Sequence, residues 1–213
     1  MPYKLKHLDP EKTAVLVIDM QNDFIEEGAA MYTPMGHAFV KPLAKFLDSC
    51  RALGMPVIYT SHAYRKDKSD MGKGALFCDP AFHGEVMVEN THGVEIYPAI
   101  APKPGDVVIT KRSYSGFFAT EMDMVLKHKG IDTVVITGVC TEACCFSTAR
   151  DALFSGYDVA FLSDLTGTID FPDLGQGAYT AQQIHQTMLC VIAMTTADVM
   201  TSDQLLELAK KEK

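Results

Sequence analysis

No uninterrupted apolar stretch in the 213-residue chain approaches the ~20 residues that a bilayer-spanning helix needs. The opening segment, MPYKLKHLDPEK, is polar and lacks the apolar core of a secretory signal. The expectation is therefore a cytoplasmic protein with no membrane partner. Positive charge is also scarce. Lys and Arg number 19 against 27 Asp and Glu, leaving a net charge of −8. A dedicated nucleic-acid binder needs a basic footprint, so no nucleic-acid partner is expected. The six cysteines form neither a C-x-x-C pair nor a disulfide-like framework. Cys140-x3-Cys144-Cys145 lacks the paired spacing of a structural zinc site. No repeat, low-complexity tract or linker divides the chain, so residues 1–213 are expected to form a single domain.

What is present is an alternation of strand and helix signals. Thr13–Asp19 (TAVLVID) is a short apolar run rich in β-branched residues, suited to a strand buried on both faces. Further strands are predicted at Val57–Thr60, Val107–Thr110, Thr133–Thr137 and Asp158–Leu162, with a short last one at Ala197–Met200. Helices are predicted over 38–53, after a Thr120 cap, over 141–154, over 178–194 and after a Thr201–Gln204 capping box. This order implies an α/β fold with a parallel sheet covered on both faces. Residues 61–105 show little periodicity and read as a substrate-side loop region.

In open parallel sheets, ligands bind at the carboxyl ends of the strands. Three reactive residues fall there. Asp19 ends the first strand, Lys111 follows the strand ending at Thr110, and Cys144 lies in the first turn after the strand ending at Thr137. A thiol in a first helical turn is expected to have a lowered pKa, lowered further by a nearby ammonium. Asp19 suits proton transfer, and backbone N–H groups at the helix start suit an oxyanion. Each residue also has an ordinary alternative. A cysteine is commonly a small buried hydrophobe, a reading that fits Cys50, Cys78, Cys140, Cys145 and Cys190. A strand-end Asp often caps a turn, and a strand-end Lys is often a solvated charge.

Three blocks resemble the isochorismatase-like cysteine hydrolases: Val17–Phe24 (VIDMQNDF), Lys111–Phe117 (KRSYSGF) and Gly138–Asp151 (GVCTEACCFSTARD). The superfamily includes nicotinamidases and the N-carbamoylsarcosine, ureidoacrylate and biuret hydrolases. The resemblance implies a three-layer α/β/α sandwich with a Rossmann-like sheet. It also implies a catalytic set of Asp19, Lys111 and Cys144, and a cis Val139–Cys140 peptide. The Cys140 and Cys144 N–H groups would then form the oxyanion hole. Homodimers or homotetramers are implied as well. The Asp-x-His metal motif of nicotinamidases is not reproduced in Ser61-His62-Ala63, so no metal or other cofactor is expected. The reaction implied is cysteine-dependent cleavage of a small amide, ureide or N-carbamoyl compound. Candidate substrate-binding residues are Phe24, His62, Tyr64, Arg65, Tyr114 and Phe117, with Arg65 a clamp for a carboxylate or a solvated charge. Phe118 and Phe146 are assigned to the core, and His185 and Gln186 to the pocket or a partner surface. Two other readings stay open: a vinyl-ether hydrolase using Asp19 alone, and a redox or non-catalytic thiol protein.

Overall fold

The computed structural model describes residues 5–84 and 86–210. Six parallel strands form one sheet: β1 Thr13–Ile18, β2 Val57–His62, β3 Val107–Lys111, β4 Thr133–Val139, β5 Asp158–Gly167 and β6 Asp198–Met200. Their order is β3-β2-β1-β4-β5-β6. The chain thus winds outward from β1 in one direction and from β4 in the other, and the switch point lies between these two central strands. Their register pairs Val15 with Val135 and Val17 with Thr137.

The predicted burial on both faces is met by period-two alternation. Val15 and Val17 of β1 join a core layer with Val57, Tyr59, Val135, Ala160 and Leu162. Ala14, Leu16 and Ile18 face the opposite layer with Ile58, Val134, Ile136 and Phe161. Among the described residues the α-helices are α1 Asn22–Ile25, α2 Pro34–Ala38, α3 Val40–Ala52, α4 Asp79–His83, α5 Met122–His128, α6 Phe146–Phe154, α7 Ala181–Thr195 and α8 Ser202–Lys210. Leu43, Phe46 and Leu47 of α3 and Leu205 of α8 cover the first layer. Met122 and Leu126 of α5, Ala149 and Ala152 of α6 and Ile192 of α7 cover the second. The result is the expected three-layer α/β/α sandwich.

Several boundaries differ from the sequence expectation. The helix predicted over 38–53 starts at Val40, because Phe39 separates it from the short α2. The helix predicted over 178–194 starts at Ala181. Thr180 caps it and Gln183 closes a capping box. Thr120 sits just before the cap position of α5, yet its Oγ1 still accepts the Met122 N–H at 3.2 Å. The Thr201–Gln204 box forms as read, with Thr201 N donating to Gln204 Oε1 at 2.9 Å. β5 runs on to Gly167 through a register shift against β4 between Ile136 and Gly138. That extension carries Thr166 and Gly167 toward the switch point. Gly138 lies where β4 passes closest to β1. Its φ is +111°, and a Cβ there would fall 2.1 Å from the Ile18 carbonyl oxygen, so only glycine fits.

Candidate active site

The site forms where β1, β3 and β4 end on one side of the switch point. Asp19 follows β1 directly with φ +50°, a left-handed conformation unusual for a non-glycine residue and typical of functional turns. Its position is over-determined. Thr60 Oγ1, within β2, donates to Asp19 Oδ1 at 2.7 Å and accepts the Asp19 N–H at 3.1 Å. Gln21, fully buried, braces the neighbouring strand end. Its Oε1 accepts the His62 N–H at 2.7 Å and its Nε2 donates to the His62 carbonyl at 3.1 Å.

Lys111, the last residue of β3, has no exposed surface. Its ammonium lies 2.8 Å from Asp19 Oδ2, 2.8 Å from the Ser113 carbonyl oxygen and 3.4 Å from Cys144 Sγ. Three acceptors thus surround a group with three N–H bonds. Burial opposes the charge on Lys111, but Asp19 and Cys144 outweigh it and raise the pKa. The contact with Asp19 Oδ2 is an ion pair without good hydrogen-bond alignment. Among the described residues no other hydrogen bond holds that oxygen, which suits it to take a proton.

Cys144 corrects one expectation. Residues Thr141–Cys145 form a π-helical turn ahead of α6, and the Cys144 side chain packs into the second core layer. Burial raises its pKa well above the usual thiol value. Lys111 pulls it down, but Asp19 opposes that pull. Desolvation of the thiolate wins over the helix start and the ammonium, so the resting group is a thiol. Cys145 is fully buried and turned to the Thr137 carbonyl at 3.9 Å. The Val139–Cys140 peptide is cis. Both Ala143 and Cys145 N–H groups return to the Cys140 carbonyl, at 3.2 and 3.1 Å.

A cavity of about 320 Å³ leads to Cys144. Of the candidate wall residues, Phe24, His62, Tyr64 and Tyr114 line it, together with Phe77, Met87, Cys140, Glu142, Ile169 and Phe171. His62 hydrogen-bonds through Nε2 to the Tyr64 hydroxyl at 2.8 Å. Burial lowers its pKa well below the ordinary value, and Lys111 and Arg112 add to this, so it is neutral. Two candidates are not part of the wall. Arg65 is exposed, its backbone N–H held by Asp70, and it borders a separate depression with Asp23 and Lys68. Phe117 turns back against Tyr157 at a ring separation of 5.8 Å. The loops beyond the strand ends, which periodicity does not describe, set both directions. Phe118, assigned to the core, is 64% exposed, and Cys190 is exposed too. Cys78 and Cys140 pack against the first core layer, as a small hydrophobe would, and also line the cavity.

Thr60, Gln21, Glu142 and Thr141 escape sequence reading, while His185, assigned there to the pocket or a partner surface, instead braces Thr141. The Thr141 hydroxyl meets His185 Nδ1 at 2.8 Å, and His185 Nε2 donates to the Ser163 carbonyl at 2.9 Å. This arrangement ties the turn before Cys144 to α7, while Gln186 is exposed. Glu142 stands on the cavity wall with its pKa raised by burial, a shift that Thr168 partly offsets. Asp19, His62 and Cys144 each offer one ligand atom within 4.8 Å of the others. Such a donor set suits a soft cation, but the Lys111 ammonium already balances the carboxylate and would repel one.

A thiol, a carboxylate and a fixed ammonium meeting at one cavity are the groups that covalent hydrolysis can use. The doubly wound fold with this trio at its switch point defines the class. The chain belongs to the isochorismatase domain family, whose sequence model matches residues 13–204. It is 34% identical over 188 residues to the ureidoacrylate amidohydrolase RutB of Agrobacterium fabrum, covering 80% of this chain and 82% of that one. It is 29% identical to nicotinamidase 3 of Arabidopsis thaliana, covering 95% and 92%. A cysteine hydrolase from Pseudomonas syringae pv. phaseolicola 1448A superposes with a TM-score of 0.93 at 33% identity, over 99% of each chain. Among the described residues no helix is long and apolar enough to cross a membrane.

Proposed function

We propose that Cys144 is the nucleophile with which this protein, an amidohydrolase of carbon–nitrogen bonds, opens a small amide, ureide or N-carbamoyl compound through a thioester. The observation that carries the reading is the buried Lys111 ammonium, 2.8 Å from the Asp19 carboxylate and 3.4 Å from the Cys144 sulfur. Because the resting group is a thiol, proton transfer to Asp19 Oδ2 accompanies sulfur attack on the substrate carbonyl carbon. Lys111 then faces a developing thiolate on one side and a protonated acid on the other, and the site's net charge does not change. The Cys140 and Cys144 backbone N–H groups take the oxyanion. Collapse of the tetrahedral intermediate breaks the C–N bond, and Asp19 returns the proton to the departing nitrogen. Water, deprotonated by Asp19, attacks the thioester and releases the acid and the thiol.

The test is ammonia release from a panel of amides, ureides and N-carbamoyl compounds, with Cys144→Ser protein beside it. Quenched intact-mass spectrometry should reveal the acyl adduct on Cys144. Full turnover by Cys144→Ala or Asp19→Asn protein would sink the mechanism.

A further inference from the structure

Apart from Glu142, the described residues of the cavity wall carry no side chain with a formal charge at neutral pH. Phe24, Phe77, Met31, Met87, Ile169 and Phe171 supply apolar surface, and His62 is held neutral. Among the described residues, no Lys or Arg lines it. Lys111 lies behind the sulfur with no exposed surface, and its charge is matched by Asp19. Asp19, Lys111 and Cys144 sum to zero charge whether the proton sits on sulfur or on Asp19. Among the described lining residues, the uncompensated charge is therefore that of the ionised Glu142, whose burial raises its pKa and makes a second negative charge beside it costly. Its Oε2 is buried, and the neighbouring Thr168 hydroxyl is the side-chain donor that lowers its pKa, though neither atom has a hydrogen bond of good geometry among the described residues. A buried carboxylate with so few donors is under-satisfied and favours a ligand that brings one.

From this we infer that the protein acts on neutral amides or ureides with an apolar body and an N–H donor, that it rejects carboxylate-bearing ones, and that Glu142 is the residue setting this preference. The inference rests on the amidohydrolase reading and narrows its substrate class. A ligand carboxylate entering the cavity would meet a like charge across a poorly solvated gap, with no guanidinium or ammonium to receive it. A neutral ligand avoids that cost, and its N–H groups give the Glu142 carboxylate a further donor beside Thr168. Arg65, the cation that would have suited a carboxylate, borders a different depression. A volume of about 320 Å³ corresponds to roughly ten waters, at about 30 Å³ each. That admits a body of the size of a short alkyl or single-ring amide.

Two matched pairs isolate the charge: butyramide against succinamate, and propylurea against N-carbamoyl-β-alanine, each exchanging a methyl for a carboxylate. Ammonia release by wild-type protein should favour the neutral member of a pair at least tenfold in kcat/KM. The isosteric Glu142→Gln protein should narrow that gap to about threefold or less, mainly through KM for the anionic member. Protection of wild-type Cys144 from iodoacetamide, read by peptide mass, follows binding without turnover and should show the same order. Anion preference in the wild type overturns the inference and leaves the amidohydrolase reading intact. A neutral preference undiminished in Glu142→Gln removes Glu142 as its cause. Selective protection by the neutral compounds without turnover upholds the pocket chemistry and counts against hydrolysis. Neither protection nor turnover overturns both.

Discussion

The Asp19–Lys111 pair offers the sharpest physical test, because both charges lie outside the reach of solvent. Asp19→Asn keeps the shape and retains an oxygen to accept the Thr60 hydroxyl, but removes the charge opposite the ammonium. At 2.8 Å and an effective dielectric of 20, the lost attraction is about 6 kcal/mol. Relaxation and partial deprotonation of Lys111 reduce this, and the expected loss of unfolding free energy is about 3–5 kcal/mol near pH 7. The pH dependence carries a signature. In the wild type the Lys111 pKa is raised, so its contribution is complete below about pH 10.4 and fades above it. In Asp19→Asn the stranded ammonium should have a depressed pKa. The unfolded chain then binds more protons, and stability should rise with pH up to about 10.4. Adding Lys111→Met removes the stranded charge and should restore most of the lost stability while activity stays absent, since a buried pair is often replaceable by apolar volume. Urea unfolding of the three proteins at pH 7 and pH 9.5, beside ammonia release, makes the comparison. A loss under 1 kcal/mol in the single variant, or a double variant no more stable than it, would refute the claim that these two charges depend on each other.

Thr60→Val removes both hydrogen bonds that Thr60 makes to Asp19 and should cost about 1–3 kcal/mol in urea unfolding. It should lower kcat more than it raises KM, because it frees the proton acceptor and leaves the cavity wall intact. Alkylation of Cys144, followed by peptide mass, should keep accelerating beyond pH 9, since burial raises the thiol pKa; a rate that levels off below pH 8 would contradict this. His62 and His185 both have lowered pKa values, with burial the main cause. Their contribution to stability is present above about pH 6.5 and is lost as pH falls through the folded-state values, by up to about 1.4 kcal/mol per pH unit for each. Urea midpoints between pH 5 and pH 7.5 should fall accordingly, and His185→Gln should flatten part of the slope.

The trio was legible because it depends on strand ends, and strand ends follow from hydrophobic patterning. Asp19, Lys111 and Cys144 each follow an apolar run, and parallel topology brings the ends of such runs to one edge. Thr60 was not legible, although it ends the strand predicted at Val57–Thr60, which the structure extends to His62. Its role depends on a hydroxyl meeting Asp19 across the β1–β2 register, and threonine in a strand is usually there for its branched shape. Arg65 and Phe117 were misplaced for the opposite reason. They lie a few residues past their strands, where the bends of residues 63–70 and 112–120 decide side-chain direction and no periodicity records them. The capping box of α7 shows what closer reading would have recovered: Thr180 and Gln183 carry the S/T-x-x-E/Q pattern in the sequence itself.

The thiol pKa shows where local rules give way to packing. A cysteine in a first helical turn beside a lysine reads as activated, and both influences are present. Yet the turn is π-helical and sets Cys144 into the core layer with Ile18 and Ile136. There the cost of an unsolvated thiolate exceeds what the ammonium returns, because Asp19 already shares that ammonium. The consequence is mechanistic. A site that kept a free thiolate would react with any oxidant or alkylator that entered the cavity. On the proposed mechanism the proton leaves sulfur only when the developing oxyanion and the Asp19 carboxyl share the change in charge. Selectivity in the free protein and reactivity in the complex thus come from the same buried contact. On this view Lys111→Arg should not substitute for lysine. A planar guanidinium cannot place one cation within reach of Asp19 Oδ2, the Ser113 carbonyl and Cys144 Sγ in a space fitted to a tetrahedral ammonium. Loss of turnover in Lys111→Arg, at unchanged charge, would separate this geometric requirement from a merely electrostatic one; near-normal turnover would show that charge alone suffices.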